Sequence, residues 1–289
     1  MREFNIFGPV NPIEHYHVNR LAVKAAMKEK IAKGRYFTLN AGRQTGKTTL
    51  FREVTAELEA DGGYFGILVS FETLRGYDRP EFYRWLRQKM LDGLLGHTSV
   101  ASDTLDWLAK VELTEHNGFG LVLRELCQRT GKRGVLIVDE FDAIGREMAE
   151  PLLAMFREMY INRGQPGYDA LQSIVLVGVR NIPALLGGTQ SPFNIADQFT
   201  VPYFTPAEVA DLLQQHTAET GQPFAPEVIA GITRETEGQP FLVNRLGQIL
   251  TQDMVPDRAQ PITAADLDYA LARLLVENNT HFSSIVSKA

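Results

Sequence analysis

The octapeptide AGRQTGKT at residues 41–48 has the make-up of a phosphate cradle. In such a loop the backbone N–H groups turn inward and, with the start of a following helix, form a nest for phosphate oxygens. Gly46 gives the backbone its close approach, Lys47 reaches the β- and γ-phosphates, and the Thr48 hydroxyl ligates Mg²⁺. Ala41, Gly42, Arg43, Gln44 and Thr45 complete the loop, and Thr49 falls in the first helical turn. Ala41 stands where this pattern usually has its first glycine.

The second constellation is VLIVDE at residues 135–140, an apolar run ending in two carboxylates. Asp139 is placed to hold Mg²⁺, directly or through water. Glu140 is the residue to orient and deprotonate an attacking water. The alternative is that these acids, with Asp142, cap a following helix. Together the two segments point to a nucleoside triphosphate, magnesium and hydrolysis. Arg180 and Asn181 follow SIVLVGV at residues 173–179 and lie where a parallel sheet presents ligands, near a γ-phosphate; a solvated strand end is the competing reading. Arg157 and Arg163 could reach a neighbouring subunit as arginine fingers, although a solvated helix face is favoured for both.

Strands are expected at residues 36–40, 64–71, 134–142, 173–179 and 198–203. Helices are expected at residues 21–34, from the phosphate loop to Gly62-Gly63, and at residues 143–162. Residues 80–131 read as helical, with breaks near Gly96 and Gly118. This alternation predicts an α/β fold, a parallel sheet with helices on both faces. The pattern changes at Thr205-Pro206-Ala207-Glu208, a capping box with proline at the first helical position. Only helices follow, in four segments split at residues 221–223, 238–240 and 256–261. The division is therefore an α/β core at residues 1–204 and a C-terminal α-helical lid at residues 205–289.

The chain has 289 residues, 29 basic against 35 acidic, and a net charge of −6. Residues 205–289 carry 11 acidic and 5 basic side chains, which accounts for the whole excess. Residues 1–204 are neutral, so neither part offers a broad basic footprint for nucleic acid. The lone Cys127 excludes an internal disulfide framework and a cysteine zinc cluster, and reads as buried and inert. The longest unbroken aliphatic run, residues 135–138, is far too short to cross a membrane. The N-terminal residues lack an apolar signal core, so a cytoplasmic location is expected. His15 and His17 lack an apparent third metal ligand and read as surface residues. Phe82, Tyr83 and Trp85 read as core.

These motifs resemble AAA+ ATPases of the STAND and replication-initiator-like branch, in particular bacterial proteins with an AAA-like domain, and the likeness covers nearly the whole chain. YHVNRL at residues 16–21 is similar to the branch's arginine motif beside the adenine, and GVRN at residues 178–181 sits at its sensor position. EGQPFLVNRL at residues 237–246 resembles the Gly-x-Pro motif of STAND proteins, whose proline contacts nucleotide from the lid. The resemblance implies a P-loop NTPase fold binding ATP or ADP with Mg²⁺, with Pro240 at the base and Arg20 or the Val18 backbone opposite. Adenine also agrees with the absence of an Asn-Lys-x-Asp segment. The chain departs from the branch in lacking a glycine and following acids in Val-Asn-Arg. After Pro240 it offers only Arg245 as a second sensor. Relatives continue past a segment like residues 278–285 into a winged-helix or effector region.

The expected function is an ATP-hydrolysing conformational switch, slow as a lone protomer, that works on a protein partner or by self-association and not at a membrane. A DNA-associated initiator or transposition factor, or a nucleotide-stabilised scaffold without turnover, are the alternatives.

Overall fold

The computed structural model describes residues 1–42, 44–95, 97, 100–165, 171–178 and 195–277. They form two compact units. One holds Ala22–Ala41 and Leu50–Val201; the other holds Met1–Leu21, Gly42–Thr49 and the described residues from Pro202 onward.

The first unit is built on five parallel strands: β1 (Phe37–Asn40), β2 (Tyr64–Ser70), β3 (Arg133–Asp139), β4 (Leu171–Gly178) and β5 (Asp197–Thr200). Their order is β2-β3-β4-β1-β5. All five expected strands are present. The central ones read as unbroken apolar runs because each face meets its own core. Along β3, Val135 and Ile137 pack with Val23, Met27, Phe51 and Val54 of the first two helices, α1 (Leu21–Ala32) and α2 (Lys47–Ala60). Leu136 and Val138 face the opposite way, toward α3 (Arg79–Leu94), α4 (Ser102–Lys110), α5 (His116–Thr130) and α6 (Arg146–Ile161). A buried cation joins α1 to α2: Lys24 Nζ lies 2.8 Å from Glu57 and 3.3 Å from Glu53.

The break expected at Gly118 falls earlier, at residues 111–115, and Gly118 lies in the first turn of α5. A Cβ there would stand 3.3 Å from Leu113 Cδ1, so the glycine serves close packing instead of ending a helix.

The second unit has four main helices: α7 (Pro206–Thr220), α8 (Pro226–Thr236), α9 (Pro240–Gln248) and α10 (Ala264–Val276). The α9 chain continues through a wider π-type stretch at Ile249–Met254. The capping box is formed: Glu208 N donates to Thr205 Oγ1 at 3.2 Å, and Thr205 N donates to Glu208 Oε2 at 2.8 Å. Phe4, Tyr16 and Val18 share a core with Val209, Leu213, Val243 and Leu246, so the N-terminal segment is part of the helical unit. Gly247 makes room for it, since a Cβ there would meet the Phe4 ring at 2.7 Å.

Candidate functional site

At the carboxyl end of β1 the chain enters the glycine-rich loop. Gln44 and Gly46 take left-handed conformations, with φ of +56° and +78°, and α2 starts at Lys47. Left-handed residues of this kind let successive N–H groups point into a common concavity. The Gly42 carbonyl oxygen accepts from Thr45 Oγ1 at 3.0 Å and from Lys47 Nζ at 2.6 Å, which closes the loop on itself. Thr45 is buried, while Thr48 and Thr49 are half-buried in the first turn of α2. Thr49 Oγ1 accepts from the Val10 amide at 3.0 Å. Arg43 lies outside the described residues.

The two carboxylates end β3. Asp139 is half-buried, and its carbonyl oxygen accepts from Phe71 N at 2.9 Å. Its Oδ1 accepts from the Glu140 amide at 2.9 Å. Glu140 has a left-handed backbone, φ +52° and ψ 42°, and leads into a short 3-10 turn at Phe141–Ala143. A non-glycine residue held there is sterically disfavoured, a condition that clusters at functional sites. The helix that follows starts only at Arg146, after Gly145, so these acids do not cap it.

Register fixes how the strand ends align. Asn40 pairs with Gly178 and Val138 with Leu176, so β4 runs between β1 and β3. Neighbouring strands are about 4.8 Å apart, which puts the ends of β1 and β3 roughly 10 Å from each other. Arg180 and Asn181, the expected sensor residues beyond β4, lie outside the described residues.

Residues 7–259 match the model of a family described as AAA-like domain. The chain belongs to the AAA-like domain family. No curated protein sequence matches it. Among solved structures, it is similar to a Walker-type ATPase of Pyrococcus abyssi (TM-score 0.66, 17% identity, 99% of this chain and 80% of that one). It is also similar to the Aeropyrum pernix ORC1 protein in complex with DNA (TM-score 0.54, 15% identity, 89% of this chain and 66% of that one). The Thermotoga maritima RuvB Holliday junction branch migration motor matches at a TM-score of 0.52 and 15% identity, over 90% of this chain and 71% of that one. At these identities the likeness shows the fold, that of P-loop ATPases.

In this AAA-like domain the Gly238-Gln239-Pro240 turn is clamped to the chain that enters α7. Gly238 has φ +75°, and a Cβ on it would lie 2.0 Å from the Phe204 carbonyl oxygen. Phe204 N donates to Gly238 O at 2.8 Å. Pro240 is the first residue of α9 and is buried. Asn244, one turn later, donates from Nδ2 to the Pro240 carbonyl at 2.8 Å, and its Oδ1 accepts from the Asn5 amide at 3.2 Å. Val18 is buried in the helical core. Arg20 is also buried: a terminal guanidinium nitrogen donates to Pro202 O at 2.6 Å, and the group lies over the Phe204 ring at 5.4 Å. Burial lowers its pKa, with Glu208 acting in the opposite sense. Arg245 is committed within the unit, to the Glu277 carboxylate and to Gln248 Oε1 at 2.5 Å.

Among other side chains, Trp85 and Arg163 differ from their sequence reading. Trp85 is 50% exposed and stacks on Tyr77 at 6.3 Å, whereas Phe82 and Tyr83 fill the core. Arg163 is no solvated cation: it donates to the carbonyls of Gly34, Leu171 and Gln172 and lies against both the Tyr36 and Tyr160 rings, which also touch each other. Arg157 is exposed on α6. His15 Nδ1 accepts from the Asn11 amide, and no group of three metal-binding side chains occurs among the described residues. Burial pushes the Cys127 thiol up to about 12, which makes it a poor nucleophile. The contacts of Asn5, Phe204 and Asn244 carry no motif-level signal.

Proposed function

We propose that this chain binds ATP and hydrolyses it in a Mg²⁺-dependent reaction, acting as a conformational switch. The observation that carries this reading is the loop after β1, with its left-handed Gln44 and Gly46 and with Lys47 opening α2. Its N–H groups and the positive end of α2 suit an anion, and the Lys47 ammonium adds the charge that a triphosphate needs. Ala41, Gly42, Arg43, Gln44, Thr45, Gly46 and Thr49 form the cradle around it. Thr48 and Asp139 offer a hydroxyl and a carboxylate, oxygen donors of the kind a hard divalent cation takes in small number while keeping its waters. Mg²⁺ held there would neutralise charge on the β- and γ-phosphate oxygens.

Glu140 orients the attacking water and accepts its proton. Arg180 contacts the γ-phosphate and so distinguishes ATP from ADP. Pro240 lies against the base, with the Val18 backbone on the same unit. Arg20 acts by fixing residues 202 and 203, to whose carbonyls a terminal nitrogen of its guanidinium donates. The functional division proposed from the sequence, a core at residues 1–204 and a lid at residues 205–289, is adjusted in one respect: the N-terminal segment packs with the lid helices and belongs with them, and the lid's angle changes with the nucleotide. Turnover is slow in a lone protomer, since P-loop enzymes often take much of their rate from a neighbour's arginine. The acidic lid favours a protein partner or self-association over nucleic acid.

The test is the mass in solution with ADP and with a non-hydrolysable ATP analogue, paired with phosphate release. Nucleotide-dependent assembly with Mg²⁺-dependent release supports the switch. Release at the background rate in every assembly state would leave a scaffold without turnover.

A further inference from the structure

Helix α10 is apolar on two opposite sides. Leu267, Ala270, Leu271 and Leu274 pack into the helical core. On the other side Ala265, Tyr269, Ala272 and Val276 are exposed, Tyr269 by 71% and Val276 by 81%. At 3.6 residues per turn these four fall within about 60° of one another, centred opposite the core. Their spacing of four, three and four residues is that of the seam between two paired helices. A helix that is apolar all round is a buried helix, and among the described residues nothing covers the outer side of α10.

The seam residues fit a copy of themselves. In an antiparallel pair whose two-fold axis passes between residues 270 and 271, Tyr269 lies beside Ala272 of the second copy, and Ala265 beside Val276. Each layer then sets a large side chain against a small one, the condition for facing positions to interdigitate. A parallel pair would put Tyr269 on Tyr269 and leave a gap between the two Ala272 methyls. Charge agrees with the antiparallel pair, which sets Arg273 near Asp266 of the second copy on one flank of the seam. Arg273 is half-exposed and bridges to Asp253 at 2.8 Å through one terminal nitrogen, so its guanidinium has further N–H groups to offer. Thr263 donates twice to Oδ2 of Asp266, which leaves Oδ1 for another donor. The two-fold axis makes this ion pair twice, as in any isologous contact.

We infer that two copies of this chain pair through the outer side of α10, antiparallel and two-fold symmetric, with Ala265, Tyr269, Ala272 and Val276 as the seam. The inference rests on the self-association reading above, gives it a surface, and needs no nucleotide. With 13 residues α10 is only about 20 Å long, so the pair buries less than the roughly 1,200 Å² of a stable complex. The association is therefore weak and concentration-dependent.

The experiment is sedimentation of the full chain over a range of concentrations, without nucleotide, with ADP and with a non-hydrolysable ATP analogue. The wild type is expected to dimerise with a Kd of about 100 μM or tighter in all three. Ala272→Glu sets a carboxylate against Tyr269 of the second copy, and should weaken the dimer about tenfold or more at an unchanged unfolding midpoint. Arg273→Glu and Asp266→Lys should each weaken it severalfold, because like charges then face each other twice. Asp266→Lys also loses part of the α10 capping box, about 1 kcal/mol, which a thermal melt reads separately. Mixing these two variants restores opposite charges at both contacts, and mixed dimers are expected at close to the wild-type affinity. Mixed samples no better than either variant alone overturn the antiparallel pairing. A wild type that assembles, with or without nucleotide, and equally so as Ala272→Glu, overturns this surface and leaves self-association standing. A wild type that stays monomeric in every state defeats both; a lowered unfolding midpoint in its Ala272→Glu variant would then assign the face to residues 278–289 of the same chain.

Discussion

The Nζ of Lys47 donates to the carbonyl oxygen of Gly42 at 2.6 Å, five residues back along the same loop. An ammonium on a neutral carbonyl has a weaker partner than a phosphate oxygen would be, because opposite charges add Coulombic attraction to the hydrogen bond. In the proposed phosphate loop, an anion is expected to compete with this contact for Lys47. Lys47→Ala is expected to weaken ATP binding by about tenfold or more, while an exposed bond of this kind contributes only about 1 kcal/mol to folding. A nucleotide titration and a thermal melt on the same samples separate the two. Equal ATP affinity in wild type and variant would remove the loop from the mechanism.

Glu140 combines a proposed chemical role with an unfavourable backbone. Its φ of +52° costs a non-glycine residue of order 1 kcal/mol. Glu140→Gln preserves shape and is expected to bind ATP normally and not hydrolyse it. Glu140→Gly relieves the conformation, so its stability should stay within about 1 kcal/mol of the wild type or exceed it, with turnover equally lost. Phosphate release and urea unfolding read the two properties. Undiminished turnover in Glu140→Gln would exclude Glu140 as the base.

The parts of this molecule that the sequence reveals are those with local causes. Buried parallel strands must be apolar on both faces, so β2, β3 and β4 stand out as runs. Thr205 and Glu208 bond to each other three residues apart, so the start of α7 is legible. The phosphate loop is likewise a contiguous motif. The packing of Phe4 and Tyr16 with helices some 200 residues away has no such signature. Nor does the strand order, which decides that β4 separates β1 from β3. Trp85 shows the limit of periodicity: it neighbours two core aromatics in sequence, yet its own helical position faces outward to Tyr77.

Two left-handed glycines carry different constraints. At Gly46 a Cβ would meet nothing within 4 Å, so Gly46→Ala pays only the backbone term, about 1 kcal/mol. At Gly238 a Cβ would lie 2.0 Å from the Phe204 carbonyl, and the chain must move apart there. Gly238→Ala is expected to cost about 2–4 kcal/mol, the range of severe local disruptions. Comparing the unfolding midpoints of the two variants checks this ordering; equal midpoints would mean that the Phe204–Gly238 approach is dispensable.

Arg163 tests a structural role against a catalytic one. Its three carbonyl partners and its contacts with two adjoining rings predict that Arg163→Ala destabilises the α/β unit by about 2 kcal/mol or more. Arg157→Ala, on an exposed helix face, should change stability by under about 0.5 kcal/mol. If Arg163 instead acted on a neighbour's nucleotide, its loss would depress phosphate release only in assembled samples, with an unchanged unfolding midpoint.

His216 sets a pH dependence in the helical unit. Its Nδ1 accepts from the Tyr16 hydroxyl at 3.1 Å and its Nε2–H donates to Gln222 Oε1 at 3.0 Å, with an Arg258 guanidinium nitrogen 3.4 Å from Nε2. Burial holds its pKa below the usual histidine value; Arg258 adds to that, while Gln222 and Glu219 oppose it. The unfolded chain, with a histidine pKa of about 6.5, therefore takes up a proton that the folded unit resists. Stability is full above that value and declines as the pH falls through it toward the lower folded pKa. Urea midpoints should drop between about pH 7 and pH 5.5, a window chosen to lie above most carboxylate titration. His216→Gln should be less stable overall and nearly flat across the same window. A variant that keeps the full acid-side decline would assign the effect to another group.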